Sequence, residues 1–153
     1  MKSRLAASIA LGALVVFGAT GCTFITPQTT TLAYSASDGV NVDGTGPVLV
    51  RNAMFIVNEE GTAANLVLSV VNSVNTPQTL TIELETGESV QLALEPQQSI
   101  HFGGDTEPLS VPQFSAPAGS NVSVYFQSGS ENGNKAFVPV LDGTLSYYSD
   151  LAP

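Results

Sequence analysis

Two residues that could do chemistry occur once each, since His101 is the only histidine and Cys22 the only cysteine. His101 stands at the end of a predicted strand, before a glycine-rich turn, where an imidazole could be a metal ligand or a general base. Nucleophilic catalysis would also need a serine or cysteine within hydrogen-bond reach and an orienting carboxylate. The sequence has no Gly-x-Ser-x-Gly elbow. We therefore interpret His101 as a structural or partly exposed residue.

Metal binding depends on the same histidine. Zinc needs three or four Cys, His, Asp or Glu ligands, and calcium needs oxygen ligands at a regular spacing. The acidic residues of this chain are too dispersed to show such a spacing, although loops that meet in space could still form a site. The sequence predicts no complete metal site and no cofactor, and His101 remains the one candidate metal ligand.

The first 21 residues have the arrangement of a secretory signal. Lys2 and Arg4 give a charged start, residues 5–17 form an apolar stretch, and residues 18–21 are small. The apolar stretch is too short, and wrongly flanked, to be a membrane-spanning helix. We therefore expect the rest of the chain to be exported.

The residues Ala19-Thr20-Gly21-Cys22 resemble the lipobox of bacterial lipoproteins, although most lipoboxes have leucine where Ala19 stands. The resemblance implies that Cys22 receives a diacylglycerol and becomes the mature N-terminus. The protein would then be held at the extracytoplasmic face of the cell membrane, with no free thiol for a disulfide or a metal. The alternative is an ordinary secretory signal followed by a chance cysteine.

The charge of the mature chain excludes one class of partner. Without residues 1–21, Arg51 and Lys135 remain against all 13 acidic residues, a net charge of −11. Nucleic acid is excluded as a partner because phosphate binding needs clustered Lys and Arg. Anionic lipid head groups would repel this surface, so we expect membrane attachment through the lipid anchor. The acidity serves either solubility or the binding of a cation or a basic partner.

Beyond the signal, the pattern predicts a polar stalk and one β domain. Residues 22–46 form the lipidated cysteine and a flexible stalk, and residues 47–153 form the domain. Apolar and polar residues alternate over residues 79–85 and 89–95, which predicts a hairpin around Gly87. The inward-facing set would be Leu80, Ile82, Leu84, Val90, Leu92 and Leu94.

Further short strands are predicted at residues 48–57, 66–71, 99–102, 122–127 and 136–141, and a last one at residues 145–148. Pro112 and Pro117 make the stretch between them an edge or a loop. No stretch of the mature chain has a sustained helical period. Seven to eight strands joined by short turns predict an all-β fold, an antiparallel β-sandwich of the Ig-like kind.

The runs Val50–Val57 and Ala64–Asn72, the alternating hairpin and the late Val138-Pro139-Val140 strand resemble small actinobacterial lipoproteins of the LpqE type. Those lipoproteins are similar to the periplasmic copper chaperones called PCuAC. The resemblance covers about residues 47–150, and it implies a compact cupredoxin-like sandwich.

The same resemblance implies a copper site that this sequence lacks in part. PCuAC proteins bind Cu(I) through two methionines and two histidines, which suit that ion, and one pair is a His-x-Met. Here His101 could match the histidine, but Gly103 replaces the methionine. The upstream strand at residues 80–85 has neither ligand, and Met54 lies in an earlier strand. We therefore expect the fold to carry over without the copper site.

Together these features predict a lipid-anchored, extracytoplasmic binding or accessory protein that is not an enzyme. Its expected partners are the membrane, through the anchor, and a membrane-associated protein. The alternative is a degenerate copper-chaperone-like protein linked to metal handling or respiratory oxidase assembly, using His101 with carboxylates. An enzyme is the third possibility, for which the sequence offers no positive evidence.

Overall fold

The computed structural model describes residues 2–19 and 34–153. The chain divides into two compact units, Met1–Tyr34 and Ser35–Pro153. In the first unit the described residues form one helix, α1, over Lys2–Ala19. No helix in the described ranges is long and apolar enough to cross a membrane. Cys22 lies outside the described residues.

The second unit is built almost entirely from strands, which confirms the all-β prediction. Its described residues form nine strands and one short 3-10 helix at Ser149–Leu151. The strands are β1 (Val40–Val42), β2 (Val48–Val57), β3 (Ala64–Asn72), β4 (Gln78–Leu84), β5 (Ser89–Leu94), β6 (Ser99–Phe102), β7 (Leu109–Val111), β8 (Asn121–Ser128) and β9 (Asn134–Asp142).

The strand count exceeds the predicted seven to eight because two three-residue strands, β1 and β7, are too short to show a period. The predicted strand at residues 145–148 does not form, since these residues are in a turn that leads into the 3-10 helix. The stretch between Pro112 and Pro117 is a loop, as predicted.

One strand connects the two halves of the β structure. The order is β5-β4-β8-β9-β2-β3-β6, with β1 on β2 and β7 on β3. The first part of β9 pairs antiparallel with β8 as far as Pro139, and its last residues, from Val140, pair in parallel with β2. Proline has no N–H to donate to a ladder, so Pro139 suits the point where β9 changes partners. The sheet is therefore mixed rather than purely antiparallel.

The predicted hairpin is β4–β5, and its inward face is confirmed. Leu80 and Ile82 are fully buried, and they lie opposite Leu92 and Val90. The two β5 residues are only half-buried, because β5 ends the strand order and has one neighbour. Gly87 takes φ +86° in the turn, where an L-residue would be strained.

The compact unit begins at Ser35 and includes residues that the sequence pattern placed in the stalk. β1 pairs with β2, and Val42 is only 2% exposed. The hydroxyl of the buried Thr45 donates to the Val48 carbonyl at 2.5 Å. The prediction put the domain start at residue 47 because this polar stretch has too few apolar residues to show a period.

Candidate functional site

His101 lies on β6, beside its β3 neighbour Ser69, with its side chain exposed. Its Nδ1 is 2.9 Å from the Ser69 hydroxyl oxygen, and its Nε2 is 3.4 Å from that of Ser99. Each ring nitrogen therefore faces a serine hydroxyl. The prediction of a partly exposed residue agrees with this position.

These contacts bear on catalysis. A serine within hydrogen-bond reach of a histidine is one element of a nucleophilic site. Such a site also needs a carboxylate that binds the other ring nitrogen and orients the histidine. Here Ser99 occupies that second position. Asp105 lines the same shallow groove, of about 300 Å³, without a hydrogen bond to the ring. Among the described residues, no carboxylate orients the His101 ring so that Ser69 and His101 could act as nucleophile and base.

Residue 103, which the resemblance aligns with the methionine of a His-x-Met pair, has no room for a larger side chain. Gly103 has φ +83°, and a Cβ built there would lie 2.9 Å from both Cγ atoms of Val67. Real Cβ atoms essentially never approach other atoms so closely. A methionine at residue 103 would therefore strain the backbone and displace Val67.

The one methionine of the compact unit is also placed away from any ligand role. Met54 lies opposite Val67 across β2 and β3 and is 4% exposed. It packs in a small apolar cluster with Ile56, Val67 and Tyr148. Its thioether is thus surrounded by hydrocarbon. Within residues 2–19 and 34–153, no three His, Cys, Asp or Glu side chains come close enough to hold a metal ion.

A second site, absent from the sequence predictions, lies where the C-terminal segment packs on the sheet. The Tyr147 groove, as we call it, has a volume of about 470 Å³, and Asp38, Gly119, Asp142, Tyr147 and Tyr148 are among its lining residues. This volume is within the usual range of small-ligand sites. The groove brings together residues from distant parts of the chain.

Tyr148 anchors this segment. Its side chain is 7% exposed, and its hydroxyl donates to Asp38 Oδ2 at 2.6 Å. Burial, and then the bond to Asp38, raise the pKa of Tyr148 well above its ordinary value. The Asn65 side chain donates to the Leu151 carbonyl at 2.9 Å and holds the end of the segment.

Tyr147 is the exposed aromatic residue of the groove, with 61% of its surface accessible. Its ring lies edge-to-face with that of Tyr148, with centroids 4.5 Å apart and planes at 68°. The buried ring of Tyr148 thus supports the exposed ring of Tyr147. The sequence showed only two adjacent tyrosines in a segment interpreted as a strand, where neighbours would point to opposite faces.

The carboxylates of the groove carry negative charge without a cationic neighbour in its lining. Asp142 Oδ1 accepts from the Thr144 hydroxyl at 2.5 Å and from the Thr144 N–H at 3.1 Å. These hydrogen bonds lower the pKa of Asp142 and keep it ionised. A neighbouring groove of about 420 Å³ shares Asp142 and adds Glu59 and Glu60.

The two basic residues of the compact unit are engaged elsewhere. Lys135 Nζ lies 2.8 Å from Glu85 Oε1, and Arg51 lies 3.5 Å from Asp43 Oδ1. Neither residue lines the Tyr147 groove. The electrostatic potential of the Tyr147 groove is therefore set by its carboxylates.

No protein-family model matches this sequence, and no curated protein matches it. The structure is similar to the apo PCuAC domain from PmoF1, with a TM-score of 0.52 and 13% identity, over 65% of this chain and 97% of that one. It is also similar to the apo PmoF2 PCuAC domain, with a TM-score of 0.54 and 14% identity, over 69% and 97%. At these identities the likeness establishes a shared cupredoxin-like fold and nothing about ligands.

Proposed function

We propose that this protein is a lipid-anchored, non-catalytic binding or accessory protein, of the LpqE type, at the outer face of the cytoplasmic membrane. The observation that carries the anchor is the sequence Ala19-Thr20-Gly21-Cys22 after a charged start and an apolar stretch. A diacylated cysteine holds a protein at a bilayer because each buried CH₂ contributes about 0.8 kcal/mol. The partner is a membrane-associated protein within reach of the anchor.

Two features of the compact unit support a binding role. The His101 ring contacts serine hydroxyls at both nitrogens, and no carboxylate in the described part of the chain orients it. The Tyr147 groove offers an exposed aromatic ring beside two carboxylates, an arrangement that suits the recognition of a ligand.

The anchor is tested by replacing Cys22 with serine in the producing cell and separating membrane from soluble fractions. The parent protein, with Cys22 in place, should stay in the membrane fraction in high salt. The Cys22→Ser variant should move to the soluble fraction with its domain still folded. Ser123→Ala, a matched change within the compact unit, should not alter the distribution. A Cys22→Ser variant that stays bound in high salt would contradict the proposal.

A second candidate function is metal handling, favoured by the likeness to PCuAC domains and by His101, which lies on the terminal strand β6 and lines one groove with Asp105. The contacts above argue against a strong Cu(I) site, since carboxylates are hard donors and Met54 is enclosed. We expect the detergent-purified lipoprotein to yield its Cu(I) to a strong chelator. A stoichiometric Cu(I) complex that is lost in His101→Ala would make metal handling the first candidate.

A further inference from the structure

The Tyr147 groove combines three properties that together suit a positively charged ligand. An aromatic ring is exposed and held edge-to-face by a buried partner, Tyr148. Two carboxylates, Asp38 and Asp142, line the same concave surface. The lining contains no lysine or arginine. A ring face beside carboxylates is an arrangement that attracts cations through the ring quadrupole and through direct charge.

We propose that the Tyr147 groove binds an organic cation, an ammonium or guanidinium group, over the ring of Tyr147 and between Asp38 and Asp142. The proposal rests on the binding role proposed above, but it does not depend on the lipid anchor. The ligand could come from a small alkylammonium compound or from a Lys or Arg side chain of a partner protein. Both present the same chemistry to the groove.

The charges favour an organic cation over the other ligand classes. An anion would meet Asp142, which its bonds to Thr144 keep ionised, and the neighbouring Glu59 and Glu60. A bare metal ion would gain little from a tyrosine ring and would need more oxygen ligands than two carboxylates supply. An organic cation uses both parts of the groove, because its charge faces the carboxylates and its carbon or planar surface lies on the ring.

The geometry leaves room for such a group without rebuilding the site. Asp38 uses Oδ2 to accept from Tyr148, and Asp142 uses Oδ1 to accept from Thr144. These bonds fix each carboxylate while its other oxygen forms no hydrogen bond to a described residue. The two carboxylates are thus oriented in advance, which reduces the entropy lost on binding.

The test is a titration of the full lipoprotein in non-ionic detergent. Binding is monitored by NMR of ring-labelled tyrosine, because the chain has only four tyrosines. The probes are choline and N-acetylarginine methylamide, with 3,3-dimethylbutanol as the uncharged match for choline and sodium chloride as the salt control. We expect a saturable shift of the Tyr147 and Tyr148 signals with a cation and none with the alcohol or with salt. Equal shifts with the alcohol, or no saturable shift with either cation, would overturn the proposal.

Three variants locate the site. Tyr147→Ala should weaken cation binding roughly threefold to tenfold, and Tyr147→Phe should keep most of it, because the ring face is retained. Asp142→Asn keeps an oxygen that can accept from Thr144 but removes the charge, and it should weaken binding about threefold or more. Asp105→Asn, outside the groove, is the control and should change nothing. Cation binding that survives both Tyr147→Ala and Asp142→Asn would refute the assignment.

The two probes separate the sources of the ligand. Tighter binding of the arginine derivative would indicate a protein side chain, and tighter binding of choline a small ammonium compound or a lipid head group. Failure of this titration leaves the fractionation result for Cys22→Ser untouched, so the two proposals fail separately.

Discussion

Replacing Gly103 tests whether residue 103, which the resemblance aligns with the methionine of a His-x-Met pair, has room for a side chain. Gly103 has φ +83°, and a Cβ there would lie 2.9 Å from both Cγ atoms of Val67. Val67 cannot turn both branches away, since it is β-branched, 7% exposed and packed against Met54 and Ile56. The Gly103 N–H also donates to the Thr106 carbonyl at 2.7 Å, which holds the turn in place.

The magnitude follows from two separate costs. A non-glycine residue in a left-handed conformation costs about 1–2 kcal/mol, and overpacking a buried neighbour costs about 1–3 kcal/mol. Gly103→Ala should therefore lower the free energy of unfolding by about 2–5 kcal/mol, and Gly103→Met by at least as much. Gly87 provides the control, because it has φ +86° with nothing within 4 Å of its Cβ position. Gly87→Ala should cost only about 1–2 kcal/mol.

The assay is urea unfolding of the compact unit Ser35–Pro153, monitored by far-UV circular dichroism. The free energy of unfolding is extrapolated linearly to water. A double-mutant cycle with Val67→Ala measures the steric part, and we expect a favourable coupling of about 1–3 kcal/mol between the two changes. Equal costs at Gly103 and Gly87, or no coupling to Val67, would refute the reasoning.

Three further predictions concern stability. Ile82→Ala, at a fully buried position on β4, should lower the free energy of unfolding by about 2–5 kcal/mol. Glu83→Ala, at an exposed position on the same strand, should change it by no more than about 0.5 kcal/mol. Chemical unfolding of the two variants measures the difference. Folding raises the pKa of Tyr148 above its ordinary value of about 10. The Tyr148 hydroxyl therefore stabilises the fold fully below about pH 10, and this stabilisation is lost as the pH rises further. Thermal unfolding from pH 8 to 12 should show a steeper loss of stability in the parent protein than in Tyr148→Phe. Asn72 is fully buried, and its side-chain amide donates to two backbone carbonyls and accepts from one backbone N–H. Asn72→Ala should lower the free energy of unfolding by about 2–4 kcal/mol, measured by thermal or urea unfolding. A loss below about 1 kcal/mol would mean that water replaces these hydrogen bonds.

The sequence was sufficient for the elements with a strong local period. Alternation along β4 and β5 predicted the hairpin, its turn at Gly87 and its inward face, because side chains of a half-buried strand alternate between core and solvent. The ten-residue run Val48–Val57 was also predicted with its observed bounds. It is long, apolar and β-branched, which favours a buried strand.

Other features depend on contacts between distant residues and carry no local period. β1 forms because Val42 and Thr45 are buried by the sheet, not because their own segment favours a strand. β9 changes from β8 to β2 at Pro139, and this parallel pairing depends on how the two halves of the sheet curl together.

The candidate site divides in the same way. The sequence identified His101, and the resemblance to PCuAC proteins placed Gly103 at the methionine position of a His-x-Met pair. Only the tertiary structure showed that Val67 closes that position and that Asp38 lies beside Tyr148, 110 residues away. Such long-range contacts arise when strands pack and bury apolar surface, and a one-dimensional pattern records the surface but not which distant segment covers it.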